Sequence, residues 1–219
     1  MPEWKELSLF IGDPYGPLHR VRKPEYYHKA FSKVQNQTAV GEASTAYLFD
    51  EAAPGILKDH LGTVRIIIIL RDPVAMSYSL YNHQFRKEGE TLENFEAALA
   101  KEDDRLNNTE FKKKCYGWEA NYYYYQRGLY SQQVKRYLNT FGREHVRVIV
   151  FEELVSEPLK VVKKTFQFLG VDDTFVPEIK VHNPAGSVVS IPRFWNDKGL
   201  FLKTMQFVFS KNVIKKIPH

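Results

Sequence analysis

A single cysteine, Cys115, occurs in 219 residues, which excludes an internal disulfide and any thiolate metal cluster and leaves the fold to packing alone. No stretch approaches the roughly 20 consecutive apolar residues needed to cross a bilayer, and no basic segment followed by an apolar run opens the chain. These absences predict a cytoplasmic protein. No repeat, low-complexity tract or linker rich in Pro, Gly or Ser marks a boundary, so one domain over residues 1–219 is expected. The histidines show no paired metal-ligand spacing, which predicts no metal. Charge of one sign is also scarce. The net value of +5 is too small and dispersed for nucleic acid, and favours a small anionic ligand over a cationic one.

What is present can build a core: 43% of residues are hydrophobic, which argues against disorder. Val64 to Leu70 contains the run Ile66, Ile67, Ile68, Ile69, apolar to both faces as a central parallel strand requires. Val146 to Phe151 is a second expected strand and Ala39 to Ala43 a weaker third. Helices are expected over Glu51 to Leu61, Val74 to Arg86, Leu92 to Ala100, Trp118 to Phe141 and Pro158 to Leu169. In the last, Ser156 is the expected cap and Gly170 the stop, with Leu159, Val162, Phe166 and Leu169 on one face. Alternating strands and helices imply an α/β fold with a parallel sheet covered on both sides. Ligands of such sheets bind beyond the carboxyl ends of the strands, directly after Ala43, Leu70 and Phe151.

The richest of these positions follows Leu70. Arg71 leaves the strand with a planar fork of donors suited to phosphate, while Asp72 can cap a helix whose first turn accepts Pro73. An anion there also meets the N-terminal end of a helix. Ser79 and, one turn later, His83 share a helical face, so Arg71, Ser79 and His83 can line one side of an anionic ligand. The alternative reading is structural: Arg71 paired with an acidic neighbour, Ser79 bonded to its own helix and His83 partly exposed.

Arg71-Asp72-Pro73 followed by Ser79 and Tyr81 resembles the 3′-phosphate-binding segment of sulfotransferases that use 3′-phosphoadenosine-5′-phosphosulfate (PAPS). Gly41-Glu42-Ala43-Ser44-Thr45-Ala46-Tyr47 is similar to that family's Gly-Glu-x-Ser/Thr-Pro-x-Tyr segment, with Thr45 where proline is usual. Arg127-Gly128-Leu129-Tyr130, Phe151-Glu152-Glu153-Leu154 and Phe168-Leu169-Gly170-Val171 resemble the distal half of its carbohydrate and bacterial branch. The resemblance implies a P-loop NTPase-like sulfotransferase fold, PAPS as donor, and a hydroxyl or amine of a carbohydrate or small metabolite as acceptor. By the same resemblance Arg71 and Ser79 bind the 3′-phosphate. His83 matches a histidine near the transferred group in heparan sulfate N-sulfotransferases. Lys5-Glu6 with Phe10 resembles the segment supplying the carboxylate base, although Leu7 replaces its proline, which makes Glu6 the candidate base.

The family's Lys- and Gly-containing loop for the 5′-phosphosulfate has no counterpart in the sequence. The match begins after that unit, so the fold is expected to be N-terminally truncated by roughly one βα unit, on the scale of about 30 residues. If the polypeptide is complete, weak donor binding and little activity follow. The competing reading is therefore a nucleotide-binding remnant that keeps the 3′-phosphate site. A phosphoryl transferase would need the same loop and a carboxylate placed for magnesium.

Four further features have ordinary explanations beside functional ones. Tyr122 to Tyr125 could wall an acceptor site, but consecutive rings on a helix point in all directions, to core and solvent. Lys112-Lys113-Lys114 could steer an anion or form a solvated turn. His182 to Gly186 could close over the nucleotide, although Val189 stands where relatives carry a basic residue. Leu200 to Ile217 has the pattern of a basic amphipathic helix, which could pack on the domain or make peripheral contact with an anionic membrane.

Overall fold

The computed structural model describes residues 6–12 and 24–179 and the backbone of 206–210. His182 to Gly186, Val189 and most of the tail lie outside the described residues. In chain order the elements are α1 (Pro24–Ala30), β1 (Val40–Ala43), α2 (Ala46–Phe49), α3 (Ala53–Leu61), β2 (Arg65–Leu70) and α4 (Pro73–Arg86). Then come α5 (Phe95–Ala100), α6 (Glu102–Asn107), α7 (Thr109–Lys114), α8 (Tyr124–Gly128) and α9 (Tyr130–Phe141). β3 (Val146–Val150), α10 (Phe151–Ser156), α11 (Pro158–Leu169) and β4 (Gln206–Ser210) complete the series.

The isoleucine run forms β2, and its period of two divides the core. Ile66 and Ile68 enter one cluster with Leu7, Phe10, Tyr47, Leu57, Leu61, Tyr137 and Phe141. Ile67 and Ile69 enter the other with Ile149, Phe151, Val161 and Leu169. Each buried isoleucine contributes about 1.5–3 kcal/mol, and a one-residue slip would exchange the two sets. β2 pairs in parallel with β3, Ile66 opposite Val146 and Leu70 opposite Val150. β4 lies antiparallel to both β1 and β2, so the strand order is β1-β4-β2-β3. It follows that β1, β2 and β3 all point one way and end at the same edge. The α/β architecture with its parallel pair and flanking helices agrees with the sequence reading.

Three local expectations need correction. Gln206–Ser210 is extended, not helical: its backbone is bonded on both sides by neighbouring strands, which outweighs the helical spacing of the tail's apolar residues. Trp118 to Phe141 is not one helix. A 3₁₀ turn over Glu119–Tyr122, then α8 and α9, are separated by non-helical Tyr123 and Leu129, and Gly128 sits at the second break. Ser156 ends α10 and does not cap α11. The buried face of α11 carries Val161, Phe168 and Leu169, while Leu159 is half exposed. Gly170 does end α11 in the left-handed region, φ 64°. Of the four tyrosines, Tyr122, Tyr123 and Tyr124 are buried and Tyr125 is exposed. Lys112, Lys113 and Lys114 form the exposed last turn of α7.

Candidate functional site

The end of β2 hands the chain to α4 as the residue types require. The Asp72 carboxylate accepts from the Ala75 amide at 2.8 Å, and Pro73 occupies the first turn. The Asp72 amide donates to Glu152 Oε1 at 3.1 Å, tying this corner to α10 after β3. Arg71 lies with its guanidinium 5.5 Å from the Phe151 ring centre, a stacking contact that fixes the plane of its donor fork.

The Glu6 to Gly12 segment crosses the end of β1. Glu6 holds φ at 59°, and its carboxylate accepts from the Thr45 amide at 2.8 Å and the Thr45 hydroxyl at 2.9 Å. Arg71, Ser79, His83 and Glu6 all line one cleft of about 290 Å³. The four candidate residues, drawn from two separate stretches of chain, therefore share one cavity at the carboxyl ends of the strands.

Lys87, Arg127, Thr45, Tyr116 and Asn121 also line the cleft, and sequence reasoning did not select them as site residues. Lys87 was within reach, since Ser79, His83 and Lys87 recur every four residues on one helical face. Arg127 was quoted only as part of a motif. Its guanidinium lies 5.6 Å from the Phe49 ring centre and 5.2 Å from that of Trp118. Neighbouring Gly128 lets α8 approach α4: a Cβ there would stand 3.2 Å from Pro73 Cβ. Buried Ser77 joins the same two elements, its hydroxyl within 2.6 Å of the Tyr124 carbonyl and 2.8 Å of the Pro73 carbonyl. Arg71, Lys87 and Arg127 thus share the cleft lining with Glu6, three cationic side chains and one carboxylate.

Two buried carboxylates stand behind the walls. Glu90 accepts two bonds from Arg105, both 2.8 Å, and one from the Tyr124 hydroxyl at 2.7 Å. Burial pushes its carboxyl up, but the bonds from Arg105 and Tyr124 more than reverse this and hold it below the usual value. Among the described residues, Glu42 on β1 has no such cation. It accepts from the Ser44 hydroxyl at 2.8 Å and the Tyr47 hydroxyl at 2.6 Å, and burial pushes its carboxyl up to about 7 against the pull of these bonds.

The fold is α/β, with a cleft lined by three cationic side chains at the carboxyl ends of its parallel strands. The sulfotransferase domain family matches residues 48–183, and on that match the chain belongs to the sulfotransferase family. It superposes on the crystal structure of a sulfotransferase from Alicyclobacillus acidocaldarius with a TM-score of 0.72 and 38% identity, covering 81% of this chain and 72% of that one. It is 25% identical over 178 residues to the bifunctional heparan sulfate N-deacetylase/N-sulfotransferase 1 of Mus musculus, covering 78% of this chain and 18% of that protein. The human heparan sulfate glucosamine 3-O-sulfotransferase 5 is 23% identical over 183 residues, 82% of this chain and 47% of that protein. The chain thus spans less than half the length of these two curated relatives. Glu6, Glu42 and Thr45 precede the family-matched region, whereas Arg71, Ser79, His83, Lys87 and Arg127 fall within it.

Proposed function

We propose that the cleft binds PAPS and transfers its sulfuryl group to a hydroxyl or amine of a carbohydrate. The observation that carries this reading is the convergence of Arg71, Ser79, His83 and Glu6 on one cavity. The donor set fits the nucleotide: the Arg71 guanidinium and the Ser79 hydroxyl on the cleft wall are groups that hold a phosphate. When bound, PAPS supplies an electrophilic sulfur with a nucleotide phosphate as leaving group. Glu6 takes the proton that the acceptor loses as its oxygen or nitrogen bonds to sulfur and the bond from sulfur to the bridging phosphate oxygen breaks. His83, Lys87 and Arg127 offset the negative charge that collects on that bridging oxygen, the electrostatic contribution expected for a loose in-line transfer. Both curated relatives named above are heparan sulfate enzymes, which makes a glucosamine-containing polysaccharide the first acceptor to try.

A second reading is nucleotide binding without turnover. Calorimetric titration with the desulfated nucleotide tests what the two readings share. Arg71→Ala removes a charge-assisted contact and is expected to weaken binding by at least about tenfold; equal affinity in wild type and variant would remove this cleft as the nucleotide site. Sulfate transfer from PAPS to de-N-sulfated heparan then separates them, since the second reading requires binding with no transfer.

A further inference from the structure

Every second amide of the Glu6 to Gly12 segment is anchored to the chain between Ala43 and Asp50. Glu6 donates to the Ala43 carbonyl at 3.3 Å, Ser8 to the Ser44 hydroxyl at 3.0 Å, Phe10 to the Tyr47 hydroxyl at 3.4 Å and Gly12 to the Asp50 carboxylate at 3.2 Å. The segment needs such anchoring, because Glu6 and Ser8 hold φ at 59° and 50°, the left-handed region that costs residues with a side chain about 1–3 kcal/mol. Two of the four anchors are hydroxyls, and a hydroxyl can donate or accept. What sets their direction is Glu42, which is 1% exposed and bonded by both of them, with the Tyr27 hydroxyl as a third partner. An ionised carboxylate only accepts. It forces the protons of Ser44 and Tyr47 toward itself and leaves their oxygens facing the amides of Ser8 and Phe10.

We propose that Glu42 is a positioning residue: through the Ser44 and Tyr47 hydroxyls its carboxylate fixes the segment that sets Glu6 against Thr45 at the rim of the cleft. The proposal rests on the reading of Glu6 as the base. It also accounts for a buried carboxylate whose partners among the described residues are hydroxyls, an arrangement that stability alone disfavours. Glu42→Gln presents an N–H to one of the two hydroxyls, whose proton must then turn toward the segment, donor against donor. Ser44→Ala removes one anchor outright.

The test is made on the full chain at about pH 8, above the Glu42 value. Amide exchange over residues 6–12 is expected to quicken by about tenfold or more in Glu42→Gln and Ser44→Ala, while affinity for the desulfated nucleotide stays within about twofold. The Thr45 amide resonance, which reports its bond to the Glu6 carboxylate, moves in Glu42→Gln. In a Glu6→Ala background the same substitution moves it much less, a coupling that a purely structural role would not produce. Should Ser44→Ala fail to fold, Tyr47→Phe removes the other anchor. Unchanged exchange over 6–12, or an equal Thr45 shift in both backgrounds, overturns the proposal. A wild type that transfers no sulfate but keeps the Thr45 coupling would instead count against the enzymatic reading.

Discussion

At the scale of single residues, the buried carboxylates of Glu42 and Glu90 differ in what offsets their charge, and so in how they bear on stability. Glu42 has a folded-state value of about 7 against an ordinary 4.5, so the folded protein holds its proton more tightly than the unfolded chain. Its contribution is fully present below about pH 4.5 and is lost as pH rises through about 7, a change of about 3 kcal/mol. Urea unfolding of wild type and Glu42→Gln across that range is expected to show the wild type losing about this much relative to the variant. Parallel curves would show that Glu42 does not titrate there. Glu90 behaves oppositely, since Arg105 bonds it through both oxygens. Arg105→Ala strands a buried charge and is expected to destabilise by about 3–5 kcal/mol, read from the shift of the same unfolding curve.

At the scale of elements, the cleft depends on how closely α8 approaches α4. The 3.2 Å between Pro73 Cβ and a Cβ built at Gly128 leaves no room for a branched side chain, and Arg127 precedes that contact. Gly128→Val is expected to cost about 1–3 kcal/mol and to weaken nucleotide binding by displacing Arg127. A variant with normal stability and affinity would show that the approach is not needed. The elements also show which patterns in the sequence carried structural information. The isoleucine run, the Asp72 cap with Pro73, and the Gly170 stop are local signals, and the structure follows each. The division of Trp118 to Phe141 was not legible, because the break at Tyr123 and Leu129 is set by packing of α8 on α4. Which face of α11 is buried was not legible for a related reason: several stripes on one helix are apolar, and the sheet selects among them.

At the scale of the molecule, a net charge of +5 matters less than where the cations gather. Arg71, Lys87 and Arg127 line the cleft, whereas Lys112, Lys113 and Lys114 lie in the exposed turn of α7, two of them near Glu110. Affinity for the desulfated nucleotide is therefore expected to fall steeply as ionic strength rises from about 0.1 M to about 1 M, where screening shortens from about 10 Å to about 3 Å. Lys87→Ala is expected to weaken binding by several fold, about 1 kcal/mol, and replacement of the α7 lysines to change it by less than about twofold. The reverse order would place the anion site on α7.

The sequence by itself determined the elements whose causes are local: a strand from consecutive β-branched residues, a helix from its cap and first-turn proline, and the strand end that Arg71 follows as the place where the cleft lies. Only the tertiary structure decided what meets across distance. It brought Glu6 to Thr45 across the end of β1, added Lys87 and Arg127 to the cleft, placed Gln206–Ser210 between β1 and β2, and buried Glu42 among hydroxyls. The physical reason is the same in each case: such contacts depend on packing between segments many residues apart, which local periodicity and capping signals do not encode.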